Sequence, residues 1–256
     1  MVSPGLVSIT FRKLAPAEIV TLVKQADLPA IEWGGDVHVP HGDLHKARDV
    51  RRLTQDAGLA VAAYGSYYRV GASEPQGLSF QSVLDTAVEL GAPLIRVWAG
   101  TKSSVEADAT TWRTVVDDSR RIAALAAASG VVIAYEYHAG SLTDTWESTL
   151  RLLREVNHPN ARSLWQPSGR YNADEEVQAL QQLLPFVTNI HVFQWRPGGR
   201  EREPLRDGSA SWRRYLEVLW QSGRCHHALI EFVRGDDPEA FLDDARTLRQ
   251  WLQADV

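Results

Sequence analysis

Cysteine is nearly absent from this chain: Cys225 is the single one in 256 residues. It has no partner for an internal disulfide and leaves no thiolate set for a structural metal cluster. Long hydrophobic runs are missing too. No stretch of roughly eighteen apolar residues occurs, which excludes a membrane-spanning helix as a sequence expectation, and the opening MVSPGLVSITFRK lacks the charged-then-apolar layout of a secretory signal. A cytoplasmic protein with no membrane partner is expected. Nor is there a basic excess. Lys and Arg number 27 against 32 Asp and Glu, a formal net charge of −5, and the densest basic stretch, Arg196 to Arg206, is interleaved with Glu201 and Glu203. No nucleic-acid partner is expected from such a balance. There is no Pro/Ser-rich linker, low-complexity segment or change in composition, so residues 1–256 are read as one domain. No glycine-rich phosphate fingerprint follows the first apolar run (ITFRKLAP), which weakens a dinucleotide-binding open sheet.

What is present is a regular alternation. Apolar residues make up 44% and charged residues 23%, ordinary for a globular protein. Short runs rich in β-branched and aromatic residues predict strands at 6–10, 30–34, 60–65, 94–100, 131–138, 161–166, 188–193 and 228–232. Between them lie amphipathic segments predicting helices at 17–26, 44–57, 78–90, 112–129, 143–156, 173–184, 211–222 and 238–254. Gly91 and Gly130 stop two of them, and Thr143 or Asp144 is the candidate cap of the fifth. Alternating strands and helices imply a parallel sheet, and eight such units in a chain of this length close into a (β/α)8 barrel.

In such a barrel the carboxyl ends of the strands form the functional face. The polar residues there are Glu32, Glu136 with His138, Gln166, His191 and Glu231. Positions 136 and 138 share a strand face, so both can point inward. Carboxylates and an imidazole converging on one volume repel or shift one another's pKa values unless a cation lies between them. A carboxylate, imidazole and amide set suits manganese, magnesium or a similar divalent ion. Each residue alone also has a plain structural reading, as a hydrogen-bonded core histidine or a rim charge. It is the agreement of several strand ends that favours a site. The other histidines, at 38, 41, 45, 158, 226 and 227, are assigned to loops or helix surfaces without a role.

The segments AIEWGGDVHVPHGD, LIRVWAG, AYEYHAGSLTDT, NIHVFQW and LIEF, in this order over nearly the whole chain, resemble the sugar isomerase/epimerase superfamily of xylose-isomerase-like TIM barrels. The resemblance implies a divalent metal ion (Mn, Mg, Co or Zn) held by Glu136, His191, Glu231 and, where the family has Asp, Gln166. The position three residues on, often histidine in the family, is Gly169 here. It also implies proton transfer through an enediolate of a ketose, aldose or related polyol, with Glu136 and Glu231 as acid and base. Trp98, Trp195 and Tyr64 are candidates to stack on the substrate. Glu32, His138, Arg96 and Arg196 are candidates to bind its polar groups, the two arginines being equally readable as structural ion pairs. A free sugar or polyol is favoured over a sugar phosphate, because no standard phosphate loop is present. The competing expectations are a metal-dependent lyase or dehydratase of the same superfamily, a nuclease, disfavoured by charge, and a non-catalytic sugar-binding barrel. Homo-oligomer formation stays open.

Overall fold

The computed structural model describes residues 1–253 apart from 197, 198, 200 and 225. Cys225, Ala254 at the end of the expected last helix, and part of the loop RPGGREREPLRDG therefore lie outside the described residues. Among those described, eight strands and eight α-helices alternate. They are β1 (Val2–Val7), α1 (Pro16–Gln25), β2 (Ala30–Gly34), α2 (Leu44–Asp56), β3 (Ala60–Arg69), α3 (Phe80–Leu90), β4 (Leu94–Trp98) and α4 (Ala109–Ala128). There follow β5 (Val132–Glu136), α5 (Trp146–Val156), β6 (Ala161–Trp165), α6 (Ala173–Leu183), β7 (Val187–Val192), α7 (Ser209–Gln221), β8 (His226–Ile230) and α8 (Pro238–Gln253). All neighbouring strands pair in parallel, and β8 returns to β1 to close the barrel.

The largest departure from the expected elements is β1, which lies at Val2–Val7 and not at 6–10. The pair Pro4–Gly5 is ordinarily a strand breaker. The strand runs through it because Val2 to Leu6 pair continuously with β8, while only Leu6 and Val7 pair with β2. The missing amide of Pro4 therefore falls where the β2 ladder has not yet formed. Gly5 is needed there for room: a Cβ would stand 2.6 Å from the carbonyl oxygen of Ala30. After Val7 the chain coils into a buried 3-10 turn, Ser8–Phe11. The cap of α5 is Thr145, whose side chain accepts from the amide of Ser148, and not Thr143 or Asp144. Two histidines assigned to the exterior, His226 and His227, open β8. His226 is buried between the Ser222 hydroxyl and the Thr188 carbonyl. His38 is also buried, against the Ser8 hydroxyl at 2.9 Å.

Strand alternation divides the core in two. Outward residues such as Ile31, Trp33, Ile95, Tyr135, Trp165 and Ile190 pack with the helices in the main cluster. Inward residues form two small clusters, Val7, Ile9, Ala30, Ala62 and Leu229, and Ala63, Leu94, Ala134 and Leu164. Two residues further along their strands, and so on the same face, stand Glu32 after Ala30, Arg96 after Leu94, Glu136 after Ala134, Gln166 after Leu164 and Glu231 after Leu229. The lumen is thus an apolar layer with a charged layer on top of it.

Candidate active site

Five of the six strand-end residues expected to converge do so. Glu136, His191 and Glu231 each offer a donor atom within 4.8 Å of the others, and all three are buried. The carbonyl oxygen of Gln166 lies 3.2 Å from His191 Nδ1, and Glu231 Oε2 lies 3.3 Å from the same nitrogen. The imidazole thus turns Nδ1 toward the other candidate ligands. Its far nitrogen, Nε2, meets Glu32 Oε2 at 3.2 Å. Glu32 is fully buried, and its recorded contacts are with His191 and Arg96. It stands where a carboxylate can orient the imidazole through the ring nitrogen that faces away from the other candidate ligands.

Arg96 is the residue whose importance the sequence understated. Its side chain is fully buried inside the charged layer, donating from Nε to Glu32 Oε1 at 2.7 Å and from Nη1 to Glu136 Oε2. Both pairs are internal, as the ion-pair reading of Arg96 expects, while Nη2 is buried without a hydrogen-bond partner among the described residues. The backbone makes room for it at Gly65, where a Cβ would sit 2.6 Å from Arg96 Nη2 and 2.9 Å from Glu32 Oε1. Just beyond, β3 bulges: its register against β4 slips between Gly65 and Tyr68. Tyr67 within the bulge takes a left-handed φ of 55°, a strained conformation for an aromatic residue. Its ring lies 4.9 Å from the Arg96 guanidinium carbon.

These contacts set the ionisation of the layer. Burial alone would raise the carboxyl of Glu32, but Arg96 and His191 outweigh it and hold Glu32 at about 2. Glu136 is lowered against burial by Arg96, His191 and His138. Burial alone would lower His191, yet Glu231 and Glu32 push it up to about 10. Without a metal the imidazole is therefore a cation at neutral pH.

The rim is aromatic. Trp98 donates its indole N–H to Glu136 Oε2 at 2.6 Å, and His138 stacks on the same indole with centroids 4.4 Å apart. β5 ends at Glu136, so His138 sits at the half-buried mouth and not in the strand's inward row. Thr143 donates to the carbonyl oxygen of Glu136 at 2.6 Å, tying the loop after β5 back to the catalytic candidate. Tyr64 is placed away from the site. It packs in the outer cluster, with its hydroxyl donating to the Val39 carbonyl at 2.8 Å and beside His41. Neighbouring strand positions face opposite ways, and it is Gly65 that faces the lumen. Trp195 lies half-buried against Phe193, 5.3 Å between centroids, at the start of the loop after β7. Arg196 is exposed and held by Glu201 at 2.5 Å and Glu203 at 3.1 Å, apart from the converging set.

A closed parallel barrel with one buried donor set at the carboxyl ends of its strands defines a class of barrel proteins whose chemistry sits at that mouth. The family is shown by comparison: residues 20–251 match the xylose isomerase-like TIM barrel model, and the chain belongs to that family. A 3-dehydroshikimate dehydratase of Bacillus anthracis is 33% identical over 103 residues, covering 38% of this chain and 35% of that protein. The L-ribulose-5-phosphate 3-epimerase UlaE of Escherichia coli is 27% identical over 184 residues, covering 70% of this chain and 63% of that protein. The chain thus spans about a third of the first relative and under two thirds of the second. Among solved structures, the probable 3-DHS dehydratase AsbF involved in petrobactin synthesis from Bacillus anthracis aligns with a TM-score of 0.80 at 21% identity, over 97% of this chain and 99% of that one. Relatives of this chain thus include epimerases and a dehydratase. No described helix is long and apolar enough to cross a membrane.

Proposed function

We propose that this protein is a metal-dependent enzyme of the sugar isomerase/epimerase type, which takes a proton from the carbon beside a carbonyl in a polyhydroxylated substrate. The carrying observation is the charge of the donor set. With His191 neutral, the layer holds one guanidinium, Arg96, against three carboxylates, Glu32, Glu136 and Glu231. That is a net charge of −2, which a single divalent cation balances. Glu136, His191, Glu231 and the Gln166 carbonyl would hold the ion, an oxygen and nitrogen set suited to manganese, magnesium, cobalt or zinc. When bound, the ion supplies Lewis-acid stabilisation of the negative charge that develops on the carbonyl oxygen.

The chain's own residues divide the remaining work. Glu231, whose recorded side-chain contact is His191, accepts the proton and leaves an enediolate. Glu136, with Arg96 and Trp98 on Oε2, keeps Oε1 toward Gln166 and faces the substrate as the second carboxylate of the pair. Trp98, with His138 stacked on it and Arg69 over the ring, offers its edge to a sugar carbon chain. Trp195 supplies a further wall from the loop after β7. Arg196 is left as a contact only for a substrate large enough to reach the outer loop.

The doubly occupied Oε2 of Glu136 also favours a second reading, one-base dehydration. There the same enolate expels a hydroxide from the neighbouring carbon instead of being reprotonated. Proton NMR in deuterium oxide, with manganese and a panel of ketoses, aldoses, inososes and hydroxylated cyclic ketones, separates the two. An isomerase or epimerase incorporates deuterium beside the carbonyl and keeps every oxygen. A dehydratase loses water and yields an unsaturated carbonyl absorbing in the ultraviolet. Manganese uptake with neither exchange nor elimination on any of them would overturn both and leave a binding barrel.

A further inference from the structure

The arginines at the mouth are nearly all spoken for. Arg12 is paired with Asp36, Arg96 with Glu32 and Glu136, Arg170 approaches Asp144 at 3.9 Å, and Arg202 is paired with Asp236. Arg234 after β8 is exposed and without an ion pair among the described residues; Arg69, the last residue of β3, also lacks one and is half-buried. Its guanidinium carbon lies 4.2 Å from the centroid of Trp98, and its protein hydrogen bond is a long one, 3.4 Å from Nη1 to the carbonyl of Gly100. Arg69 is the register partner of Trp98 across β3 and β4. The same indole donates to Glu136, so Arg69 stands one indole away from a candidate catalytic carboxylate.

A half-buried guanidinium seated over an indole, with one long hydrogen bond to the protein, leaves most of its N–H groups available as a fork. That geometry matches a carboxylate or phosphate in two-point contact. The neighbouring net charge of the layer repels an anion unless a cation answers it locally, and Arg69 is the unclaimed cation at that position. We propose that Arg69 is a specificity-determining residue and that the substrate is a polyhydroxylated carbonyl compound carrying an anionic group, carboxylate or phosphate, and not a neutral sugar. This rests on the metal-assisted reading above only for where the reacting carbons lie.

Three probes on one carbon skeleton test it by calorimetry with the manganese-loaded protein: glucitol, gluconate and glucitol 6-phosphate. One of the two anions is expected to bind about tenfold or more tightly than glucitol, as a charge-assisted contact implies, and which one does so separates carboxylate from phosphate. Arg69→Gln should erase that margin and leave glucitol binding as it was. Arg69→Lys, which keeps the charge without the flat fork, should recover part of it and shows that a loss in the glutamine variant is not loss of fold. Equal binding of the three probes, no binding of either anion, or a margin that survives Arg69→Gln overturns the proposal. Absence of manganese uptake would sink the metal reading alone, because the three probes can still be ranked on the metal-free protein.

Discussion

The two layers of the lumen are one pleat apart, roughly 7 Å along each strand, yet they are built on opposite principles. The lower layer, with Ala30, Ala63, Leu94, Ala134, Leu164 and Leu229, is dry and made of small or branched apolar side chains. The upper one packs Glu32, Arg96, Glu136, His191 and Glu231 into equal burial. Apolar burial stabilises wherever it occurs, whereas the charged layer holds only as a set, since a buried charge without its partner is costly. The same small residues that fill the lower layer leave the width that Arg96 needs above it. What the contrast teaches is a division of labour: the lower layer closes the barrel, and the upper layer gives up stability for a preorganised field at the mouth.

The sharpest way to break this contrast is a change that costs far more activity than stability. Glu231→Gln keeps the shape and an oxygen donor but removes the proton acceptor. It should lower turnover by about 10²–10⁴-fold in a protein that still folds, with a modest fall in melting temperature because His191 loses one of its two carboxylates. Wild-type rates in that variant would transfer the base role to Glu136. Next in size is Arg96→Met, which strands Glu32 and Glu136 in a buried site. It should destabilise the metal-free protein by about 3–5 kcal/mol, with part of the loss restored by manganese, and urea unfolding with and without the ion measures both. In the lower layer, Leu164→Ala should cost about 2–5 kcal/mol through cavity formation, with turnover per folded molecule retained. If Leu164→Ala instead abolished turnover in a folded protein, the two layers would not be separable.

The sequence carried the barrel because strand and helix periods alternate cleanly and every strand but the first is bounded by its own turn residues. It misplaced β1 because local breaker chemistry at Pro4–Gly5 is overruled by pairing with β8, more than two hundred residues away. The four proposed ligands were legible as polar residues ending apolar runs. Two kinds of information were not. Tyr64 reads as a strand-end aromatic, but the bulges in β3 place Gly65 on the lumen side, and no local signal gives that parity. Glu32 reads as a substrate contact and Arg96 as either that or an ion pair, while the contacts they make, with each other and from Glu32 to His191, cross the barrel and leave no local signal. Arg69 was passed over altogether, because what marks it is its seat over Trp98 without a carboxylate partner, and a contact between β3 and β4 leaves no local signal in the sequence.

The smallest expected effect concerns protons, and it joins the two halves of the upper layer. In the metal-free protein Glu32, held at about 2 against an ordinary 4.5, contributes stability that is present above pH 4.5 and is lost as the pH falls toward 2. His191, raised to about 10 from an ordinary 6.5, contributes stability that is fully present below pH 6.5 and is lost as the pH rises through 10. The stability that both pairs contribute is therefore full from about pH 4.5 to 6.5 and declines on either side. A metal ligand must present a bare nitrogen, so binding at Nδ1 has to drive off the proton that Glu231 and Glu32 stabilise. At pH 7 manganese binding should release about one proton, read as the difference in heat between two buffers of unlike protonation enthalpy. Its apparent affinity should rise about tenfold per pH unit between pH 6 and 8. An affinity flat across that range, with no proton released, would mean that His191 is already neutral when the ion arrives, and the charge balance offered for the upper layer would then be wrong.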